Sequence, residues 1–325
     1  MERHRNHFFL LRIILIASMC YGIVVYEYKI FPYKYIKKMV DLIRCARKNS
    51  DIWSVGIYEG TTPFDLADPV NILNPVITAK DVDDTNAIFV ADPFMLLKNG
   101  KYYMFFEVMN RKTNQGDIGY AKSTDGRKWK YKKIIIDEEF HLSYPYVFEW
   151  DNNYYLIPES GQDLSVRLYK ATSFPEKWQY VGNLLSGYRY LDPSIFRYED
   201  KWWMFVYEKN SVLNLYYSKH LSTGWMSHPM NPIVKLNKHI SRPGGRVIVY
   251  NHKLYRFTQD DYPSYGIQVF AFEITKLSEK SYKEKMVSRV PILTKAGNGW
   301  NAAGMHHVDL HKVGDKWIAA VDGRK

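Results

Sequence analysis

From Asp92 onward, apolar and polar residues alternate in short runs separated by Asn, Asp and Gly turns. The clearest unit is Asp92-Pro93-Phe94-Met95-Leu96-Leu97, a turn at Asn99-Gly100, then Tyr102-Tyr103-Met104-Phe105-Phe106-Glu107. Two apolar runs joined by Asn-Gly predict a β-hairpin. The unit returns as Tyr144–Phe148 with Tyr154–Glu159, and as Asp192–Phe196 with Trp202–Glu208. A degenerate copy links Arg242-Pro243 to Tyr255–Asp260, and a weaker one links His306-His307-Val308 to Trp317–Asp322. Successive starts lie 52, 48, 50 and 64 residues apart. Third strands are predicted at Ile118–Ser123, Val166–Thr172 and Leu213–Ser218. Each leads to a tryptophan (Trp129, Trp178, Trp225) expected to pack between repeats. Fourth strands are predicted at Lys132–Ile136, Gln179–Leu185 and Ile233–Leu236. A hairpin repeat of this period is one blade per copy, so residues 51–325 read as an all-β, five-bladed β-propeller. Strand-like Ser54–Tyr58 is expected to complete the ring, and Leu277–Met286 is the one weak helical candidate beyond residue 90.

The first 50 residues follow a different pattern. Phe8 to Tyr26 is a nineteen-residue stretch broken only by Arg12, close to the roughly 20 residues that span a bilayer. It predicts an uncleaved transmembrane helix, with a removed signal peptide as the alternative. Behind it Ile36, Met39, Val40 and Ile43 fall at helical spacing among Lys34, Lys37, Lys38, Arg44, Arg47 and Lys48. That is either a basic amphipathic helix on an anionic membrane surface or a solvated linker helix. Seven Lys/Arg follow the span within 27–50 and three precede or interrupt it, which places the propeller on the cytoplasmic side. Cys20 and Cys45 both lie in this region, so no disulfide is expected in the propeller.

Charge sharpens this division. The chain carries a formal +11, of which residues 1–50 hold +7 with ten Lys/Arg against three Asp/Glu. A nucleic-acid footprint would put the excess on the folded domain, so nucleic acid is not the expected partner. Aromatics make up 16% of the chain, with 27 Tyr and 9 Trp, which suits strands and sugar-stacking surfaces.

Blade geometry locates the chemistry. First strands line a propeller axis, so their starts (Asp92, Tyr144, Asp192, Arg242 and His306-His307) converge at one mouth. Second strands run back to the same face and end at Glu107, Glu159, Glu208, Asp260 and Asp322. Crowded carboxylates push their pKa values apart, as acid/base work on a glycosidic bond requires. Each has a plainer reading. Asp-Pro shapes a turn, the recurring second-strand acid anchors neighbouring blades, and Arg242 and Arg246 either close salt bridges or bind phosphate or carboxylate. Adjacent His306 and His307 face opposite ways on a strand, and His141 reaches the rim. Asp81-Val82-Asp83-Asp84 is read as a polar loop. No dinucleotide, phosphate-loop or nucleophile-elbow motif is present, and no cofactor or metal is expected.

Val90–Phe94, His141–Phe148, Pro158-Glu159-Ser160, His228–Pro232, Arg242–Arg246, Arg256–Asp260 and Tyr265-Gly266 form one set. Over residues 52–325 this set resembles the N-terminal propeller of the glucosamine inositolphosphorylceramide transferase family and its bacterial relatives. More distantly, Asp92-Pro93 and Leu191–Phe196 look like inner-strand motifs of glycoside hydrolase family 43. The second resemblance implies Asp92 as general base and Asp192 as the aspartate that tunes and orients. The general acid should start the next inner strand, where Arg242 stands, and an arginine cannot donate a proton at neutral pH. The acid then falls to Glu159 or Glu208 from the second strand. Catalytic candidates are therefore Asp92, Asp192 and Glu159. Substrate-binding candidates are His141, Tyr144, Glu208, Arg242, Arg246, Gln259, Asp260 and His306. The expectation is a membrane-anchored enzyme, a glycosyltransferase or inverting glycosidase, acting on a lipid-linked or cell-surface glycan. The alternative is a non-catalytic sugar-binding propeller that partners a separate glycosyltransferase.

Overall fold

The computed structural model describes residues 52–325. The expected transmembrane span 8–26 and the basic segment after it lie outside the described residues. Among the described residues no helix is long and apolar enough to cross a membrane, and the helices are three single 3₁₀ turns.

Five antiparallel sheets form the blades of a propeller. Blade one holds strands Ala87–Lys98, Lys101–Asn110, Gln115–Ser123 and Lys130–Ile136. Blade two holds Ser143–Trp150, Asn153–Ser160, Ser165–Ser173 and Lys177–Ser186. Blade three holds Leu191–Tyr198, Lys201–Glu208, Val212–Ser218 and a two-residue outer strand, Met226–Ser227. The predicted outer strand Ile233–Leu236 is reduced to one bridge, Leu213 to Val234. Blade four is built on Lys253–Asp260 and Gln268–Ser278, the former paired with both Arg242–Pro243 and Ile248–Tyr250. The helical candidate Leu277–Met286 is instead a hairpin: Leu277 pairs with Tyr282 and Ser278 with Ser281 around Glu279-Lys280. Tyr282 is buried there against Phe205, a tertiary contact that overrides weak helical spacing. Blade five joins Val308–Val313 and Lys316–Arg324 to Trp53–Gly60, so the start of the domain closes the ring on its end.

The three tryptophans have a recurring local role. Their indole N–H groups donate to carbonyls three or four residues upstream: Trp129 to Gly126 (3.1 Å), Trp178 to Pro175 (2.7 Å) and Trp225 to Leu221 (2.9 Å). Trp178 also meets Phe105 of blade one edge-on at 5.8 Å, packing between blades.

Each of the first three inner strands carries the same irregularity around its proline. The ladder slips between Ala91 and Phe94, Ser143 and Tyr146, and Leu191 and Ser194. At each slip the residue before proline is left-handed: φ is 53° at Asp92, 47° at Tyr144 and 48° at Asp192. Proline offers no N–H to the ladder, so the strand bulges and the preceding side chain is re-aimed. A left-handed non-glycine residue costs on the order of 1–2 kcal/mol, and here it recurs where the strands reach the axis.

Candidate active site

Asp92, Glu159, Asp192, Arg242, Gln259, His306 and Asp322 come together at the mouth of the axis, drawn from all five blades. Asp192 is almost fully buried. Its carboxylate accepts Arg242 Nε at 2.5 Å and Gln259 Nε2 at 2.9 Å. The same amide nitrogen also donates to the Pro243 carbonyl at 2.8 Å. Gln259 Oε1 has no partner among the described residues, leaving a buried acceptor beside the cluster. One Arg242 Nη lies 3.9 Å from Glu159 and the other 3.8 Å from Asp261. One guanidinium thus serves three carboxyl groups, with the ring of Tyr265 stacked 5.1 Å from it.

Burial and the neighbouring Asp192 push the Glu159 carboxyl well above the usual range, and Glu159 shares a hydrogen bond with Asp192. Glu159 therefore holds its proton to higher pH than an ordinary glutamate, against the opposing pull of Arg242. Asp92 faces the other half of the cluster. Burial pushes its carboxyl up to about 7, against the opposing pull of His306 and with added repulsion from Asp322 and Asp192. His306 Nε2 stands 3.6 Å from Asp92, while Nδ1 bonds Asp322 at 2.8 Å. Burial disfavours the imidazolium, but the Asp322 and Asp92 carboxylates outweigh it and raise the His306 pKa. Asp322 is the anchor of this half. It accepts the backbone N–H of Asp92 (3.0 Å), His306 (3.1 Å) and His307 (3.1 Å). Those bonds and the His306 charge hold its carboxyl below the ordinary value despite complete burial. The His306 ring stacks on Trp53 at 4.1 Å and meets the edge of Tyr265 at 5.1 Å.

Asp92, His306 and Asp322 each place a ligand atom within 4.8 Å of the others, a spacing that could hold a metal ion. A hydrogen bond from His306 Nδ1 to Asp322 ties two of those residues to each other. His307, expected to face away from His306, instead also approaches Asp92, with Nδ1 3.8 Å from the carboxylate, while its ring packs against Phe94 (4.5 Å) and Tyr144 (5.2 Å). Burial lowers its pKa to about 4, so the ring is neutral in the floor of the funnel.

Several sequence candidates sit elsewhere. Tyr144 is fully buried, and its hydroxyl joins Ser194 Oγ (2.7 Å) to the Gly245 backbone N–H (2.7 Å). Arg246 forms the salt-bridge alternative: Nε on Asp309 at 2.7 Å and Nη2 on the Val147 carbonyl at 2.9 Å, over the Tyr146 ring. Asp260 turns away from the funnel to His239 (2.9 Å) and Gln268 (2.8 Å). Glu208 accepts the Tyr216 hydroxyl at 3.1 Å. His141 accepts the Gly116 N–H at 2.8 Å and faces Glu107 at 3.6 Å. Asp261, Tyr265 and Trp53 belong to the cluster and were not among the candidates. Alternation at the end of the Lys253–Asp260 strand is the signal for one of these: successive residues Asp260 and Asp261 point to opposite sides, and Asp261 is the one that reaches Arg242.

A family model described as Glucosamine inositolphosphorylceramide transferase 1, N-terminal, matches residues 45–324. Glucosamine inositolphosphorylceramide transferase 1 of Oryza sativa subsp. japonica is 34% identical over 307 residues, 86% of this chain and 41% of that protein. The chain thus spans about two fifths of the length of the curated relatives it matches. Among solved structures, a putative glycoside hydrolase from Parabacteroides distasonis superposes with a TM-score of 0.60 at 14% identity, covering 81% of this chain and 97% of that one. The β-1,2-mannobiose phosphorylase of Listeria innocua also reaches 0.60 at 14% identity, over 82% and 96%. These likenesses establish a glycosidase-like propeller fold, and the sequence match establishes the lineage. The chain belongs to the glucosamine inositolphosphorylceramide transferase 1 N-terminal domain family.

Proposed function

We propose that the funnel is a carbohydrate-active site that cleaves or transfers a glycosidic bond. The observation that carries this reading is the meeting of two buried carboxyls in one mouth, Asp92 and Glu159, both pushed up by burial, Asp92 to about 7. A base poised near the working pH beside a second carboxyl that burial inclines to hold its proton is the pair that glycosidic chemistry uses. In this reading Asp92 takes the proton of the attacking water or acceptor hydroxyl. Glu159 gives its proton to the departing oxygen. Asp192, held by Arg242 and Gln259, keeps Glu159 protonated and oriented. His306, fixed by Asp322, positions Asp92, and Trp53 and Tyr265 offer aromatic faces to a sugar ring.

The substrate class we carry over from the relatives' name is a glycosylated inositol-phosphoryl headgroup, soluble or lipid-linked. Segment 8–26 would anchor the chain, the basic segment behind it would lie on an anionic leaflet, and the propeller, residues 51–325, would face the cytoplasm. A binding module working with a separate transferase is the second reading, supported by Arg242, which cannot donate a proton and holds Asp192 from the start of the fourth inner strand. Turnover of a glucosaminyl inositol-phosphoryl substrate separates the two. For an enzyme, Asp92→Asn and Glu159→Gln should each lower turnover by roughly 10²–10⁴-fold and largely spare binding. Substrate binding without turnover by the unaltered chain would establish the binding module instead.

A further inference from the structure

Beside the funnel, on the same face, lies a cavity of about 480 Å³ lined by Asn210, Ser211, Leu236, Lys238, His239 and Tyr262. That volume falls in the roughly 300–1,000 Å³ range of small-molecule sites. Its wall continues the funnel. Asp261 reaches Arg242 while the next residue, Tyr262, faces the cavity, and the Asp261 N–H bonds the Lys238 carbonyl at 3.0 Å. The wall is also held in place from behind. Fully buried Asp260 bonds His239 at 2.9 Å and the Tyr262 N–H at 3.0 Å, and the His239 ring meets Tyr262 edge-on at 5.3 Å. The tyrosine nonetheless stays 55% exposed. Lys238 has no carboxylate within ion-pairing distance among the described residues, and the nearby acids Asp260 and Asp261 are committed to His239 and Arg242. The cavity therefore combines a fixed aromatic face, an unneutralised cation and amide and hydroxyl groups.

We propose that this cavity is a second subsite, which takes a ring bearing a phosphate, a cyclitol or sugar monophosphate. The ring lies on Tyr262 and the phosphate faces Lys238 and His239. The proposal rests on the funnel reading above, since a ligand reaching past Asp261 would have its sugar at Asp92 and Glu159. Neutral rings lack the charge that Lys238 favours, and bare phosphate lacks the face that Tyr262 favours.

Titration calorimetry of the full chain in mild detergent with myo-inositol 1-phosphate tests this. Tyr262→Ala and Lys238→Glu should each weaken binding by about tenfold or more. Asp92→Asn should leave it within about twofold. Both cavity residues are exposed, and a thermal melt of each variant verifies that it folds. Wild-type binding retained by both cavity variants overturns the subsite, as does equal affinity for inorganic phosphate or no binding by the wild type. Loss of binding in Asp92→Asn alone would move the ligand into the funnel and also overturn it. Retained cavity binding in a chain that shows no turnover supports the subsite and sinks only the catalytic reading of the funnel.

Discussion

Asp92 sits where its charge is disfavoured, and that has a measurable signature. Its folded carboxyl holds a proton up to about pH 7 because it is buried, whereas an unfolded aspartate releases it near pH 4. Between those values the native state binds more protons than the unfolded chain, so the stability attributable to this group falls as pH rises and levels off above about 7. Asp92→Asn removes the penalty. Its melting temperature should match the wild type near pH 4 and exceed it at pH 8; a lower value at pH 8 would show that the carboxylate stabilises the fold. The neighbouring acids show how far sequence could reach. Asp92, Asp192 and Glu159 were legible because propeller geometry sends strand ends to one mouth. Asp260 closes the repeat unit and so is the acid that the pattern offers, yet facing depends on strand phase at the end of the ladder, and Asp261 is the one that reaches Arg242. Tyr144 and Arg246 occupy positions equivalent or close to functional ones. Only coordinates reveal that Ser194, Gly245 and Asp309 already satisfy them.

The inner strands place these side chains by breaking their own ladders. Blades one to three do so with a left-handed residue before proline, and blade four with Gly244-Gly245 after Arg242-Pro243. Gly245 has φ 145° and bridges Val308 of blade five, and a Cβ there would lie 1.8 Å from the Val308 carbonyl oxygen. Gly245→Ala must therefore part blades four and five. We expect a loss of roughly 3 kcal/mol or more, read as an earlier denaturation midpoint. An unchanged midpoint would mean the two strands can separate freely. Inner hairpins were legible because alternation and Asn-Gly turns act over a few residues. The outer edge was less so: strand Met226–Ser227 and the Leu277–Met286 hairpin depend on contacts such as Tyr282 with Phe205, which no local pattern encodes.

Closure of the ring makes the mouth a single object. Trp53–Gly60 pairs along its whole length with Lys316–Arg324, from Trp53 opposite Arg324 to Gly60 opposite Trp317. Val55 and Ile57 of this strand are completely buried. A chain lacking residues 1–60 should lose cooperative unfolding, whereas one lacking residues 1–51 should keep a single sharp transition; two similar transitions would show that closure is dispensable. Because Trp53 also stacks on His306, closure and site are coupled. The pH dependence of turnover on a glucosaminyl inositol-phosphoryl substrate tests that site as a working acid/base pair. Turnover should rise with pH along a limb centred near 7, as Asp92 ionises, and Asp92→Asn should abolish that limb together with most of the rate. A rate that is flat from pH 5 to 8, or a limb that survives in Asp92→Asn, would contradict the assignment of Asp92 as the base.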